Sequence, residues 1–255
     1  MADDTFAPPG AADLFPPEIF GWVTKPMLLV TLSTVIIATF FRITTRKLAL
    51  VPSRLQFAAE SLYDFGRNSM AREQIGGQDF RPYVPFIVSL FTFALVNNIF
   101  GIIPFIQFPT MAHFGFPAAL AILLVYPTYH FVGIRRHGLR GYLKNQFVLP
   151  GVPKPVLWGL LIPTEVILKF FFDPITLAIR VFAAMFAGHL LVAVFVVGGE
   201  FLLLEAGPLL KPVSLISFAL AIGITLLEAL IQVLQAYIFA MLSAHYIGRA
   251  LAESH

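Results

Sequence analysis

Residues 170–199 read FFFDPITLAIRVFAAMFAGHLLVAVFVVGG, and the single arginine inside this stretch, Arg180, decides how the chain is to be understood. From Val181 to Gly199 no other Asp, Glu, Lys or Arg occurs. The run is long and apolar enough to cross a bilayer as a helix, whose hydrocarbon core takes about 20 residues. An arginine at mid-bilayer costs about 2.5–3.5 kcal/mol on insertion scales. It cannot escape by deprotonation, because its pKa lies above about 12. Such a residue persists only where a partner, a water-filled cavity or a function compensates.

The whole chain carries the same stamp. Its 255 residues are 58% hydrophobic and only 12% charged, with a mean hydropathy of +0.83. Soluble domains carry about a quarter charged residues, so an ordinary soluble domain is excluded and membrane lipid is an expected partner. The sequence pI near 9.3 does not imply nucleic acid. The basic residues flank apolar runs, as in cytoplasmic loops of membrane proteins, instead of forming a soluble patch. There is no cysteine, which excludes disulfides and thiolate metal sites. The first 19 residues are acidic and proline-containing and do not read as a secretory leader.

Working outward, PMLLVTLSTVIIATFF (26–41), between Lys25 and Arg42, predicts a first span, which Trp22 and a snorkelling Lys25 would extend to full length. VPSRLQFAAESLYDFGRNSM (51–70) places Leu55, Phe57, Ala58, Leu62 and Phe65 at helical spacing among charges, which predicts an amphipathic surface helix, although a small soluble helical hairpin would give the same pattern. Pro82 to Ile134 holds no charged residue, enough for two spans joined through residues 101–117. A basic loop follows with Arg135, Arg136, Arg140, Lys144 and Lys154. The positive-inside rule places 42–54 and 134–154 on the cytoplasmic side, the N-terminus outside and the C-terminus inside, for five crossings. The last two apolar runs, 156–197 and 213–248, exceed a vertical span. Either they are broken, with Pro163 and Pro174 as candidate kinks, or they form a long, steeply tilted hairpin. The expected fold is therefore all-α and polytopic, with about five membrane helices plus the amphipathic helix. It is one integral membrane domain, with 1–20 external and 21–250 the helical membrane region.

The polar residues inside these spans are the candidate site. Asp173, Thr176 and Arg180 share a helix face by their spacing of three and four. His189 lies nine positions further, about 13 Å along the axis on the other side. Glu228, Gln232 and Gln235 make a polar stripe on the last helix. Antiparallel pairing of the two helices would bring His189 towards Glu228. Both can exchange protons, whereas arginine keeps a fixed charge. A structural reading competes for each: buried Gln or His can be interhelical glue, Asp173 and Arg180 can form an ion pair at i, i+7, and Glu165 can pair with Lys169 at i, i+4. His113 and His130, near helix ends, read as interfacial.

The stretches DPITLAIRVFAAMFAGHLL, LLEALIQVLQAYIFAMLSAHYI and NIFGIIP (98–104) resemble, in order, motifs of subunit a of the F-type ATP synthase, over roughly residues 80 to 248. The first is similar to P-[IVM]-[SAT]-L-x-[LIV]-R-[LV]-x-x-N-x-x-A-G-[EH]-L of that family. The resemblance implies that Arg180 faces the carboxylate of the rotating c-ring and that His189 and Glu228 occupy two half-channel positions. It places Gln235 near the arginine, alongside Gln232 in the stripe, and makes Asn98 the polar residue of the earlier span. Two positions depart from the pattern. The asparagine four after the arginine is Ala184, and the acidic residue fourteen before it would be Val166, with Glu165 one place off. Glu165 can serve only if the helix is locally bulged.

What the resemblance implies is a stator subunit of the Fo motor that forms two proton half-channels beside the c-ring. Its partners would be the c-ring subunits, the b and b' peripheral-stalk subunits and the remainder of the ATP synthase. Its place would be the bacterial plasma membrane. No cofactor, metal or catalytic site of its own is implied, and the chain has no G-x-x-x-x-G-K-[ST] nucleotide loop. The alternative from the residues alone is a proton-coupled secondary transporter, which inverted repeats would favour. No internal symmetry is evident.

Overall fold

The computed structural model describes residues 8–10, 21, 23–46, 48–77, 79–103, 106–147, 155 and 157–252. The expectations for the external N-terminal segment, Trp22 and Lys154 fall outside this set. The described residues are helical almost throughout. The labelled helices are α1 (Lys25–Thr44), α2 (Arg54–Phe65), α3 (Val84–Ile99), α4 (Gly115–Gln146), α5 (Ile162–Ile167), α6 (Asp173–Leu204) and α7 (Lys211–Leu251). Five stretches are long and apolar enough to cross a membrane: Lys25–Thr44, Arg81–Ile99, Gly115–Gln146, Gly159–Leu204 and Lys211–Leu251. This is the all-α polytopic architecture expected from the sequence.

Proline placement explains where these helices are regular and where they are not. Pro127, Pro163 and Pro174 each lack the N–H that would close a turn on the carbonyl four residues earlier. A π turn precedes each one, at Leu120–Val125, Leu157–Leu161 and Leu168–Phe172. The long apolar run is thus bulged at both candidate prolines but stays continuous, so Gly159–Leu204 spans 46 residues. In α7 the only proline, Pro212, stands in the first turn, where a missing N–H costs nothing. Its 41 residues are about 60 Å long at 1.5 Å each, twice a hydrocarbon core. Between the two expected alternatives the structure has the long hairpin: α6 and α7 make the most extensive contact in the molecule.

α7 is the centre of the bundle and also packs on α3 and α4. Ala236, Ala240, Ala244 and Ala250 are buried along it beside Ile87, Phe91, Tyr129 and Met70. Small residues at spacings of about four let neighbouring backbones approach closely, which is how helices associate where lipid removes the hydrophobic incentive. Leu177, Ala178, Val181 and Met185 of α6 pack with Val125 and Phe239 in a second core.

Local packing adds detail to these expectations. The basic loop is helical to Phe147, and the chain reverses at Gly138, whose φ of 69° suits glycine. Tyr142 lies back against Gly133, where a methyl group would overlap its ring. The amphipathic helix is present: Leu55 and Phe57 are exposed, Phe65 packs its ring near Phe91 and Tyr237, and Gln56 and Ala59 are buried. Gln56 has a reason to turn in: its side chain bonds both the N–H and the carbonyl of Ala49, at 3.2 and 3.1 Å, and Glu60 at 2.7 Å. Lys25 does not snorkel free. Its Nζ donates to the Ile106 carbonyl at 2.8 Å and lies 5.6 Å from the Phe108 ring centre, fastening α1 to the segment after α3. His130 packs among Tyr126, Tyr129, Tyr142 and Phe170, and Tyr142 Oη lies 2.6 Å from its Nδ1.

Candidate functional site

Arg180 stands near the middle of the 46-residue span, on the exposed side of α6. That side is a single stripe of Phe172, Ile175, Thr176, Ile179, Arg180, Ala183 and Ala187, all exposed and recurring at three and four. The opposite stripe, Pro174, Leu177, Ala178, Val181 and Met185, is buried. Among the described residues no carboxylate lies within ion-pair distance of Arg180. A cationic side chain is thus presented from an apolar helix, next to two alanines that leave room for another helix to approach.

Asp173 does not pair with Arg180. It binds Arg249 of α7, whose Nη2 lies 2.9 Å from Oδ2 and whose guanidinium lies 5.3 Å from the Tyr246 ring centre. Arg249 lies 76 residues away, one position past the apolar run read as the last helix. Its only sequence signal is a basic side chain in the final turn of an otherwise apolar helix. Glu165 and Lys169 do pair, at 2.7 Å, as their spacing predicts, and Lys169 also donates to the Gln146 carbonyl at 2.7 Å.

His189 and Glu228 meet as the antiparallel reading expects, with Nδ1 3.9 Å from Oε1. Glu228 is 4% exposed and rests against Gly188, where an added Cβ would stand 3.2 Å from its Cγ. Gln232, fully buried one turn on, donates its amide to Glu228 Oε1 at 3.2 Å, and Asn98 of α3 donates to the Gln232 carbonyl at 3.0 Å. Gly101 clears this space, since a Cβ there would come within 2.8 Å of Gln232 Nε2. Five of the residues singled out in the sequence therefore form one buried constellation or border it: His189, Glu228, Gln232 and Asn98 in contact, with Gln235 one further turn along. The side-chain oxygens of Asn98, Gln232 and Gln235 are buried without a hydrogen-bond partner among the described residues. Buried polar atoms of this kind are rare and mark sites of function or hydration.

A second polar set was not singled out in the sequence. Asn97, buried beside Asn98, donates to Ser33 of α1 at 2.9 Å and accepts from Thr110 at 2.8 Å. It ties three chain segments together and is satisfied, which is the mark of a structural group. Its neighbour Asn98 keeps unmet capacity.

Comparison with known proteins identifies a family. The family described as ATP synthase A chain matches residues 27–248. ATP synthase subunit a of Pseudarthrobacter chlorophenolicus is 48% identical over 256 residues, covering 98% of this chain and 95% of that protein. The Nocardioides protein of the same name is 45% identical over 266 residues, covering 99% and 95%. That of Rhodococcus erythropolis is 36% identical over 261 residues, covering 100% and 94%. With five membrane-length helices, a buried His–Glu pair and this match over nearly its full length, the chain belongs to the ATP synthase A chain family.

Proposed function

We propose that this chain is the proton-conducting stator subunit of an F-type ATP synthase, with Arg180 as the fixed charge between two half-channels. The observation that carries the reading is Arg180 at mid-span, without an ion-pair partner among the described residues, on an exposed stripe with Ala183 and Ala187. A charge placed there is costly without a counter-charge. The carboxylate of a c-ring helix arriving on that stripe supplies one and leaves again as the ring turns. Membership of the family implies assembly with the rest of the complex; the c-ring against α6 and α7 and the b and b' stalk helices are the partners this reading requires.

The two ends of the hairpin suit the two half-channels. His189 and Glu228 form the outer path, where protons are handed to the ring carboxylate. Gln232, Gln235 and Asn98 line the way inward with amide groups that can hold water. Glu165, Lys169, Asp173 and Arg249 stand at the other end, where the proton leaves. The π turn at Leu168–Phe172 supports a part for Glu165. It takes up one extra residue, so Glu165, fifteen before Arg180, lies on the face that a residue fourteen before would occupy in a regular helix. Arg42, Arg46, Arg135 and Arg136 sit at one common end of the first three spans, which supports a cytoplasmic position for that end in the bacterial plasma membrane. Each proton crossing with a 100 mV potential releases about 2.3 kcal/mol.

Arg180→Ala tests the reading. The subunit should assemble, since the guanidinium holds no other element, while ATP-driven proton pumping and ATP synthesis in membrane vesicles disappear. Normal coupled synthesis in this variant would refute it.

A further inference from the structure

We propose that Arg67, Arg72 and Arg81 form a binding site for a phosphate-bearing anion at the membrane surface, filled in the membrane by the headgroup of an anionic phospholipid. The three side chains line one cavity of about 240 Å³ together with Gly77 and Phe80. Arg67 and Arg72 come from the π turn that continues α2, and Arg81 opens the second span. The site therefore sits where a chain leaves water for lipid. Gly76 and Gly77 both have positive φ, 74° and 59°, so the loop over the cavity turns without bulk that would fill it. Phe80 is buried beneath.

Three arginines within one small cavity repel one another unless something negative joins them, and among the described residues nothing negative lines it. No carboxylate lines this cavity, and those nearby in the chain face other surroundings. Glu60 accepts from Gln56 at 2.7 Å, and with Asp64 lines a separate cavity under the end of α1. Glu73 faces another cavity beside Ser69, Leu230 and Tyr237. Asp79, two residues before Arg81, lies 3.4 Å from Arg136. Among the described residues none of the three arginines has an ion-pair partner. Guanidinium forks match phosphate oxygens in pairs, and basic pockets at the ends of membrane helices take anionic headgroups. The site lies apart from Arg180 and does not depend on the proton path.

The test is native mass spectrometry of the full-length chain released from detergent after equilibration with phosphatidylglycerol, phosphatidylcholine or inorganic phosphate. Phosphatidylglycerol should be retained in preference to phosphatidylcholine. Retention should fall about fivefold with each of Arg67→Gln, Arg72→Gln and Arg81→Gln, and to the phosphatidylcholine level in the triple variant. Arg42→Gln with Arg46→Gln, at the same membrane end but outside the cavity, should leave it unchanged. If inorganic phosphate displaces the lipid one for one, the site stands and free phosphate esters compete for it. A helical content equal to wild type by circular dichroism shows that the triple variant is folded. Equal losses in the control pair would reduce the effect to diffuse surface charge and overturn the site, as would unchanged retention in the folded triple variant.

Discussion

The two ends of the α6–α7 hairpin hold similar numbers of charged and titratable groups but wire them differently. Beyond Arg180 towards the loop, Glu228 has a histidine and a glutamine as its neighbours, at 3.9 and 3.2 Å, and no permanent cation. Towards the helix ends, Glu165 is held by Lys169 at 2.7 Å and Asp173 by Arg249 at 2.9 Å. Both carboxylates at that end are tied to Lys or Arg, whereas Glu228 faces an imidazole and an amide. The hairpin thus separates an end built on a His–Glu contact from an end built on Lys and Arg ion pairs, with Arg180, which has no ion-pair partner among the described residues, between them.

This contrast can be broken by mutation. Glu228→Ala should have the largest effect of the site variants short of Arg180, lowering ATP-driven pumping about a hundredfold, the lower end of what a positioned proton-transfer group contributes. His189→Ala should fall in the same range. The double exchange His189→Glu with Glu228→His keeps one acid and one base in the same pocket, so it should pump faster than either alanine variant. Equal inactivity of all three, measured by acidification of inverted vesicles, would show that the two side chains do not act together.

At the ion-paired end the same kind of change should do less to transport and more to structure. Asp173→Asn leaves Arg249 half-buried without its counter-charge, and should lower stability by about 1 kcal/mol, the upper range for pairs still open to solvent. Denaturation in mixed detergent together with Arg249→Gln, as a double-mutant cycle, isolates the coupling. Proton pumping should drop by less than for Glu228→Ala. A loss as large as that of Glu228→Ala would place Asp173 directly in the proton path.

The smallest effect concerns His113, outside the spans. Burial holds its imidazole below the ordinary range, against a hydrogen bond that the ring donates to the Ala112 backbone, which acts the other way. The folded chain then binds this proton less readily than the unfolded chain. Stability should fall as pH drops through the ordinary histidine value of about 6.5 and level off below the depressed one. His113→Gln should flatten that part of the curve in detergent unfolding without changing it above pH 8.

The spans, their order and the meeting of His189 with Glu228 follow from local features of the chain. Apolar length and charge-free runs mark helices, and an antiparallel hairpin fixes which of their positions can be opposite. The Glu165–Lys169 pair is equally local, four residues apart on one helix. What the sequence left undecided is which groups separated by long stretches of chain find each other. Arg249 takes Asp173 away from Arg180 because α7 runs the full length of α6 and its last turn reaches the first turn of that helix. Spacing along one helix does not contain that fact. The π turn before Pro174 and the reversal at Gly138 lie between the two: proline and glycine permit them locally, and contacts such as Tyr142 against Gly133 hold the chain in place once it has turned. The gathering of Arg67, Arg72 and Arg81 around one cavity was settled by tertiary contact and not by the order of residues alone, because it depends on how the turn after α2 packs against the start of the second span.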